Sequence, residues 1–314
     1  MADLTGRGFT GVLHTFSEND LEYYREHMKR IVEVSHEAGL EVQICPWGVG
    51  HTFGGEAESL FTAVHPEVCQ VLDDGTPTGA GCPNQPLFRE FVRLWADAAV
   101  QTGADRVFWD EPHWVHPARF GAAERRWGCR CTRCRGLFLE RFGGEMPREI
   151  TPEVAAFREE SLAGFVRGLV AHVAGGGAKN TVCLPPVTGG PRGISDWSAI
   201  ASAPGLDTLA TDPYWRLFGY PAGKFVGELS RRTKRLADEH GVGVQVWIQG
   251  FGLGPEDAGD IRAAADAARA AGITDLWTWG YEACGHMSYL GTREPESVWE
   301  ALTGALTGVR AGTG

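Results

Sequence analysis

Short hydrophobic runs rich in β-branched and aromatic residues alternate along the chain with longer segments whose apolar residues recur every three or four positions. The first pattern is typical of β-strands and the second of amphipathic helices. Their regular alternation predicts parallel strands with helical crossovers, and eight strands predict an α/β (β/α)8 barrel, the TIM-barrel fold. The predicted strands are residues 11–16, 41–46, 68–72, 106–110, 181–185, 208–211, 243–248 and 275–279.

The segments between these strands carry the marks of helices. Residues 19–39 place apolar side chains at helical spacing and end on Gly39, and glycine is common just beyond a helix C-terminus. Pro255 suits a first helical turn. The other predicted helices are residues 85–102, 153–173, 225–240 and 255–271.

Two segments, 51–81 and 113–146, are too long for plain barrel loops. Loops longer than about 15 residues in a compact domain are usually functional. Both segments flank the fourth predicted strand, so we expect them to elaborate one side of the barrel. The sequence therefore predicts one barrel domain over residues 1–314, with an insertion at about 113–146.

Composition narrows the function classes. The 314 residues are 43% hydrophobic and 22% charged, as in soluble globular proteins. No apolar run reaches about 18 residues, so no membrane partner is expected. The net charge of −11 disfavours a nucleic-acid partner. The first residues lack the pattern of a secretory signal, which predicts a cytoplasmic location. Homo-oligomer formation is left open.

Three cysteines, Cys129, Cys131 and Cys134, form a C-x-C-x-x-C pattern that can surround one metal ion. A tetrahedral zinc ion needs a fourth soft ligand, and Cys82 is our choice because it opens the helix that leads into the fourth strand. Four thiolates would make a closed, structural site. Free surface thiols or a redox triplet are the alternatives. Buried small side chains are the interpretation for Cys45, Cys69, Cys183 and Cys284.

Acidic residues follow three of the predicted strands. Asp110 and Glu111 end the fourth strand, and in barrels of this class the carboxyl ends of strands hold the chemistry. A carboxylate taken out of water must be compensated or used, so an ion-paired strand end is the alternative. Asp212 follows the sixth strand, where it could also form a turn, and Glu282 follows the eighth, where it could point outward. All four are candidate catalytic residues.

Aromatic and histidine side chains accompany these acids. Sugar rings stack their C–H faces on indole rings while their hydroxyl groups need fixed polar partners, so this mixture favours a carbohydrate or glycoside ligand. His14 is the weakest candidate, because a packed histidine is the commoner case. The candidate substrate-binding residues are His14, Trp47, Trp109, His113, Trp114, Tyr214, Trp215, Trp247, Gln249 and Trp279.

The motifs resemble glycoside hydrolases of the barrel-forming clan A, in particular family 42 β-galactosidases and related hypothetical glycosyl hydrolases. The resemblance covers about residues 60–145. It implies that the four cysteines bind structural zinc and that Glu111 is the general acid/base. The pieces that carry it are His65-Pro66-Glu67, Asp73-Asp74-Gly75, Cys82-Pro83-Asn84, Phe88-Arg89-Glu90, Asp110-Glu111, and the cysteine triplet followed by Phe138 and Phe142-Gly143.

The chain departs from that clan at two positions. Asp110 stands where the clan has asparagine, and Gln249 stands where it has the nucleophilic glutamate that ends the seventh strand. Glu111 as the acid then needs a second group. Asp212 or Glu282 could serve as nucleophile or base. The substrate's own acetamido group, oriented by Asp110, is the third option, since the Asp-Glu pair is similar to the family 20 hexosaminidases.

The sequence thus predicts a glycosidase of carbohydrate metabolism, with two alternatives. A sugar isomerase or epimerase of the xylose-isomerase kind would bind a divalent ion through Glu111, Asp212, Glu282 and a histidine. A barrel without its nucleophile would be a non-catalytic sugar-binding protein.

Overall fold

The computed structural model describes residues 1–186, 192–286 and 290–308, and one curled sheet of seven parallel strands lies at its centre. Trp277 on one edge strand packs against Gly11 on the other: a Cβ atom at Gly11 would lie 2.7 Å from the indole ring. The strands in sheet order are β1 (Gly11–Thr15), β2 (Glu41–Cys45), β5 (Arg106–Trp109), β6 (Lys179–Leu184), β7 (Thr208–Thr211), β8 (Gly243–Gln249) and β9 (Leu276–Trp279).

Residues 68–72, predicted as the third barrel strand, do not join this sheet, and that prediction is wrong. β3 (Cys69–Val71) instead pairs antiparallel with β4 (Pro77–Gly81). The turn between them contains Gly75 with φ +98°, so the chain reverses at once and no helical crossover follows. β2 pairs directly with β5. The other seven predicted strands are confirmed, with ends shifted by at most two residues.

Alternation along the strands sorts side chains between two sides of the sheet. On β5, Phe108 belongs to a cluster inside the curl, whereas Val107 and Trp109 belong to the larger core between sheet and helices. Trp247 of β8 packs on Phe108 inside the curl, with ring centroids 5.1 Å apart. Residues of even and odd number on one strand therefore have different surroundings.

Helices flank the parallel strands along the chain. None of the described helices combines the length and apolarity that a membrane crossing requires. They are α1 (Ala2–Gly6), α2 (Glu18–Tyr23), α3 (Arg25–Glu37), α4 (Leu60–Val64), α5 (Pro86–Gln101), α6 (Thr132–Phe142), α7 (Pro152–Gly175), α8 (Trp197–Ala201), α9 (Trp215–Phe218), α10 (Ala222–His240), α11 (Ala258–Ala270) and α12 (Pro295–Thr307).

The predicted helices are present, with two local differences. The segment 19–39 divides at Tyr24 into α2 and α3, and Ser17 and Asp20 form a capping box that starts α2. Pro255 opens a 3-10 turn, Pro255–Asp257, before α11 begins. The predicted helix end at residue 240 is confirmed, since Gly241 takes the left-handed conformation directly after α10.

A buried carboxylate anchors the segment 49–61, which follows β2. Glu18 accepts hydrogen bonds from Gly50 N at 2.9 Å, from Ser59 Oγ at 2.7 Å and from Phe61 N at 2.6 Å. Its side chain is only 4% exposed. Three donors compensate the loss of water around this carboxylate, which fixes the course of the segment over the end of β2.

Candidate active site

A cavity of about 730 Å³ opens at the carboxyl ends of the parallel strands. Its walls come from β1, from the ends of β2 and β5 to β9, and from the connections that follow these strands. This volume lies in the range of cavities that enclose small ligands. The carboxyl-terminal face is also where enzymes with barrel folds carry their catalytic groups.

Three carboxyl groups line this cavity: Asp110 and Glu111 after β5, and Asp212 after β7. Asp110 continues the inward-facing series of β5. Glu111 has φ +37°, in the left-handed region that residues with side chains rarely adopt. Its N–H donates to Cys183 O at 3.1 Å. This turn of the backbone allows two consecutive carboxyl groups to face one cavity, and such backbone is concentrated at functional sites.

Burial raises the pKa of all three carboxyl groups. Repulsion by Glu111 adds to this effect, and the pKa of Asp110 rises to about 8. The side-chain contact between Glu111 and Asp212 lowers the pKa of Glu111, against the larger effect of burial, and raises that of Asp212. This is the behaviour of two carboxyl groups that share one proton. The cavity can therefore supply a proton and retain a negative charge beside it.

Aromatic rings form much of the cavity wall. Trp47 and Trp279 pack with ring centroids 4.7 Å apart, and Tyr214 meets Phe251 edge-on at 5.0 Å. Of the predicted substrate-binding residues, five line the cavity: Trp47, His113, Tyr214, Trp247 and Trp279.

Three predicted aromatic residues do not line the cavity as the described residues define it. Trp109 faces the outer core, where its Nε1 donates to Asn180 Oδ1 at 2.9 Å. Trp114 packs under the guanidinium of Arg158, 5.2 Å from the ring centroid. Trp215 belongs to the core cluster between α10, α11 and β8. All three are at most 1% exposed, so packing accounts for them.

The amide of Gln249 serves the backbone around it. Its Oε1 accepts from Arg216 N at 3.0 Å and its Nε2 donates to Phe251 O at 3.0 Å. These bonds join the connections after β7 and β8. The side chain is absent from the described cavity lining, so the end of β8 presents neither a carboxyl nor an amide group there.

His14 and Glu282 also lie outside the described cavity lining. His14 Nε2 contacts Ser35 Oγ at 3.0 Å on the outer side of β1, and burial lowers its pKa to about 4. Glu282 is 38% exposed and pairs with His286 at 3.1 Å. The structure thus brings Asp110, Glu111 and Asp212 together and leaves Glu282 apart.

Sequence reasoning missed four cavity residues that bear a thiol or a polar side chain. Cys45 and Cys183, confirmed as buried free cysteines, line it through the inward-facing positions of β2 and β6. Burial, together with the negative charge of Asp212, raises the pKa of the Cys183 thiol. His116 and Arg192 come from the connections after β5 and β6. Strand alternation could have indicated the two cysteines, but no sequence pattern indicated the other two.

The four cysteines predicted to bind metal form one buried group away from the cavity lining. The sulfur atoms of Cys82, Cys129, Cys131 and Cys134 all lie within 4.8 Å of one another. Cys82 Sγ is 3.5 Å from Cys134 Sγ and 3.9 Å from Cys131 Sγ. Sulfurs around a tetrahedral ion at ~2.3 Å lie ~3.8 Å apart. Asn84 N donates to Cys82 Sγ at 3.4 Å. This arrangement can hold a metal ion.

A buried cation accompanies the cysteine group. Arg158 of α7 is 5% exposed, and its charge interacts with Cys129 and Cys134. Its Nε donates to Gly128 O at 2.7 Å. In the described ranges, no second set of three or more closely spaced metal ligands exists, so the acids of the cavity do not form one.

Solved structures with a similar fold include several glycoside hydrolases. A β-galactosidase from the psychrophilic Marinomonas ef1 matches with a TM-score of 0.69 at 11% identity, over 96% of this chain and 55% of that chain. A Bacteroidetes-affiliated GH5 cellulase matches at 0.52 with 11% identity, over 96% and 82% of the two chains. The exo-β-1,4-mannosidase Op5Man5 from Opitutaceae bacterium strain TAV5 matches at 0.50 with 15% identity, over 96% and 55%.

These likenesses confirm, at the level of the fold, the resemblance to barrel-forming glycosidases that the sequence motifs indicated. The chain spans about half the length of the β-galactosidase it matches. No protein-family model matches the chain, and no curated protein does. The same fold supports many different reactions, so the residues of the cavity determine which reaction the protein catalyses.

Proposed function

We propose that this protein is a glycoside hydrolase in which Glu111 protonates the glycosidic oxygen. The observation that carries the proposal is the contact between the carboxyl groups of Glu111 and Asp212 in a cavity walled by aromatic rings. The fold shared with several glycosidases supports it. A carbohydrate ligand suits the wall, since Trp47 and Trp279 line the cavity together with the acids.

Glu111 supplies the general acid in this mechanism. Because burial raises its pKa, its carboxyl group keeps a proton to a higher pH than an exposed glutamate does. As the bond between the sugar C1 and the leaving oxygen breaks, this proton passes to the oxygen and Glu111 is left ionised. General-acid assistance of this kind is worth about 10²–10⁴-fold in rate.

Asp212 is the second group of the proposed mechanism. When the proton that the two groups share lies on Glu111, the charge of Asp212 faces the positive charge that develops at C1, and Asp212 acts either as the nucleophile or as the base for a water molecule. Carboxyl groups are ~5 Å apart in retaining and ~6.5–9.5 Å apart in inverting enzymes. Glu111 and Asp212 contact each other, so the mechanism requires the two side chains to move apart to one of these spacings when the glycosidic linkage enters between them. Gln249 and Glu282 are not assigned this role because neither lines the described cavity.

Asp110 completes the acidic group. With a pKa of about 8 it is protonated at neutral pH and can donate a hydrogen bond. A sugar hydroxyl oxygen is a suitable acceptor. If the substrate carries an acetamido group at C2, the carbonyl oxygen of the Asp110 carboxyl group accepts from the acetamido N–H and orients the group, and the acetamido oxygen then replaces Asp212 as the group that attacks C1.

We further propose that Cys82, Cys129, Cys131 and Cys134 hold a structural zinc ion. Four sulfur ligands leave no open position for substrate, and backbone N–H groups already donate to the sulfurs. The ion would join the end of the β3–β4 hairpin to the start of α6. A tetrathiolate site fits a reducing compartment, in accord with a cytoplasmic location.

A screen of nitrophenyl glycosides, including N-acetyl sugars, tests the proposed function. We expect the wild-type protein to cleave at least one of them, and Glu111→Gln and Asp212→Asn each to lower kcat by about 100-fold or more. Glu282→Gln is the matched control and should stay within about twofold. Undiminished cleavage by Glu111→Gln, or sugar isomerisation that depends on added manganese in place of hydrolysis, would contradict the proposal.

A further inference from the structure

The cavity carries a second polar group besides its acids. Arg192, His116 and His113 line it together, from the connections after β6 and β5. Arg192 is the single lysine or arginine among the described residues of the lining. A guanidinium placed in a sugar-sized cavity calls for an explanation, because hydroxyl groups alone do not require a full positive charge.

The three side chains form one connected row that starts at the catalytic acid. His113 Nδ1 donates to the backbone carbonyl of Glu111 at 2.6 Å. The ring of His113 meets that of His116 edge-on, with centroids 4.5 Å apart. His116 Nδ1 then lies 3.1 Å from Nη1 of Arg192. The guanidinium is thereby fixed at a set position relative to Glu111.

The hydrogen bonds determine which donor groups these side chains offer to a ligand. A guanidinium only donates, so Nδ1 of His116 accepts from Arg192 and the proton of this imidazole sits on Nε2. Burial, with Arg192 as the next cause, lowers the pKa of His116 to about 4, which keeps the ring neutral at pH 7. His116 therefore offers an N–H donor beside the positive charge of Arg192.

Arg192 retains capacity for a ligand. Its Nη2 pairs with Glu124, a side chain that is 64% exposed, and its Nη1 donates to His116. A guanidinium has five N–H groups, and among the described residues these are its two side-chain partners. The remaining donors lie in the fixed fork that matches the two oxygens of a carboxylate or of an ester-bound sulfate or phosphate.

We propose that the sugar cleaved here carries an anionic group, and that Arg192 and His116 bind this group. This inference rests on the proposed function. The shared chemistry is an oxyanion on the sugar: the carboxylate of a uronic acid, or a sulfate or phosphate ester on O6. The charge of Arg192 attracts the anion, and the Nε2–H group of His116 adds a directed hydrogen bond.

The acids of the cavity repel an anionic substrate only weakly. Burial raises the pKa of Asp110 to about 8, with repulsion by Glu111 adding to this effect, and Glu111 and Asp212 share one proton. The acidic group therefore carries about one negative charge at neutral pH, where three ionised carboxyl groups would carry three. A substrate anion at Arg192 then meets a guanidinium that is also paired with the exposed Glu124, and the acids add a single negative charge.

The test compares matched substrates on matched variants. Nitrophenyl glucuronides and galacturonides are set against the corresponding glucosides and galactosides of both anomers, and 6-sulfated and 6-phosphorylated forms are added to identify the oxyanion. Arg192→Gln removes the cation of the cavity. Arg119→Gln is the control, since Arg119 bonds Gly55 O, Ala57 O and Glu58 and is not among the described lining residues.

We expect one anionic series to be cleaved with at least about tenfold higher kcat/KM than its neutral counterpart, a difference of about 1.4 kcal/mol. Arg192→Gln should abolish that preference through a raised KM, while Arg119→Gln keeps it. Preferred cleavage of neutral glycosides, or an equal loss on both series in Arg192→Gln, would overturn the inference while leaving the hydrolase intact.

A binding measurement separates this inference from the proposed reaction. Calorimetric titration of the inactive Glu111→Gln protein with D-glucuronate, D-glucose 6-sulfate, D-glucose 6-phosphate and D-glucose needs no turnover. Tighter binding of one anionic sugar, lost on adding Arg192→Gln, supports the anion site even if no glycoside is cleaved. Equal binding of all four sugars refutes it.

Discussion

The carboxyl group of Asp110 lies directly against the α-carbon of Gly54. A Cβ atom on Gly54 would come within 2.3 Å of Asp110 Oδ2 and 2.8 Å of its Cγ. The backbone N–H of Gly54 also donates to Asp110 O at 2.9 Å. The segment anchored by Glu18 and the end of β5 are therefore fitted to each other at the wall of the cavity, with no room for a side chain between them.

Replacing this glycine should disturb the acids more than the fold. In Gly54→Ala the new methyl group pushes the carboxyl of Asp110 out of position, and displacement by about 1 Å can cost about 100-fold in rate. We expect kcat to fall by about 10- to 100-fold in steady-state assays. Gly164→Ala, in open space on α7, is the control and should add about 0.5–1 kcal/mol of stability with unchanged kcat. A fully active Gly54→Ala protein would refute this fit.

The anchor of the segment 49–61 is open to a separate test. Glu18→Gln weakens an acceptor that serves three buried donors, which should cost about 1–3 kcal/mol in the free energy of unfolding. Glu22→Gln, exposed on the same helix, should cost little. Urea denaturation measures both, and equal midpoints for the two variants would rule out the anchoring role.

Asp110 should make the protein less stable at alkaline pH. Its pKa is about 8 in the fold against an ordinary 3.8, so between these values the folded state holds a proton that the unfolded chain releases. The contribution of Asp110 to stability is therefore lost as pH rises from about 4 to about 8. Asp110→Asn removes this loss of stability, because asparagine does not ionise.

The difference in Tm between Asp110→Asn and wild type should thus grow with pH. We expect the variant to melt about 2 °C or more above wild type at pH 8.5 and to lose this advantage near pH 4. Buried histidines change the Tm of both proteins equally, so their effect cancels in the difference in Tm. Thermal melts across this range provide the measurement, and a constant difference would argue that Asp110 ionises normally.

Metal removal should affect stability through the cysteine group. We expect one zinc ion per chain by elemental analysis, and loss of the ion together with a lower Tm in Cys129→Ser. Cys69→Ser is the control, because this buried thiol lies outside the group and contacts Thr62 O at 3.6 Å. Equal metal content in Cys129→Ser and wild type would disprove the assignment.

Much of the fold could be predicted because periodicity reports which side of an element is buried. The strand 68–72 was misjudged for a physical reason: Asp74-Gly75 is a turn signal for an antiparallel hairpin, and the apolar run before it looks the same in either kind of sheet. The break at Tyr24 left no mark in the spacing of apolar residues, so two helices were predicted as one.

The site was predicted less completely, because closeness to a strand end does not say which way a side chain points. Alternation on β5 places Asp110 inside and Trp109 outside, and the same reasoning would have included Cys183. Glu111 breaks that alternation through its left-handed backbone. Arg192 reaches the cavity from an irregular connection, where no periodicity applies.

The most direct test of the central claim is how the loss caused by Glu111→Gln depends on the leaving group. A dinitrophenolate leaves without a proton, whereas an unsubstituted phenolate or an alkoxide needs one, so removing the acid should matter only for the poorer leaving groups. We predict that Glu111→Gln cleaves the dinitrophenyl glycoside within about tenfold of wild type and the phenyl glycoside at least about 100-fold more slowly. An equal loss on both substrates would contradict the role of Glu111 as the proton donor.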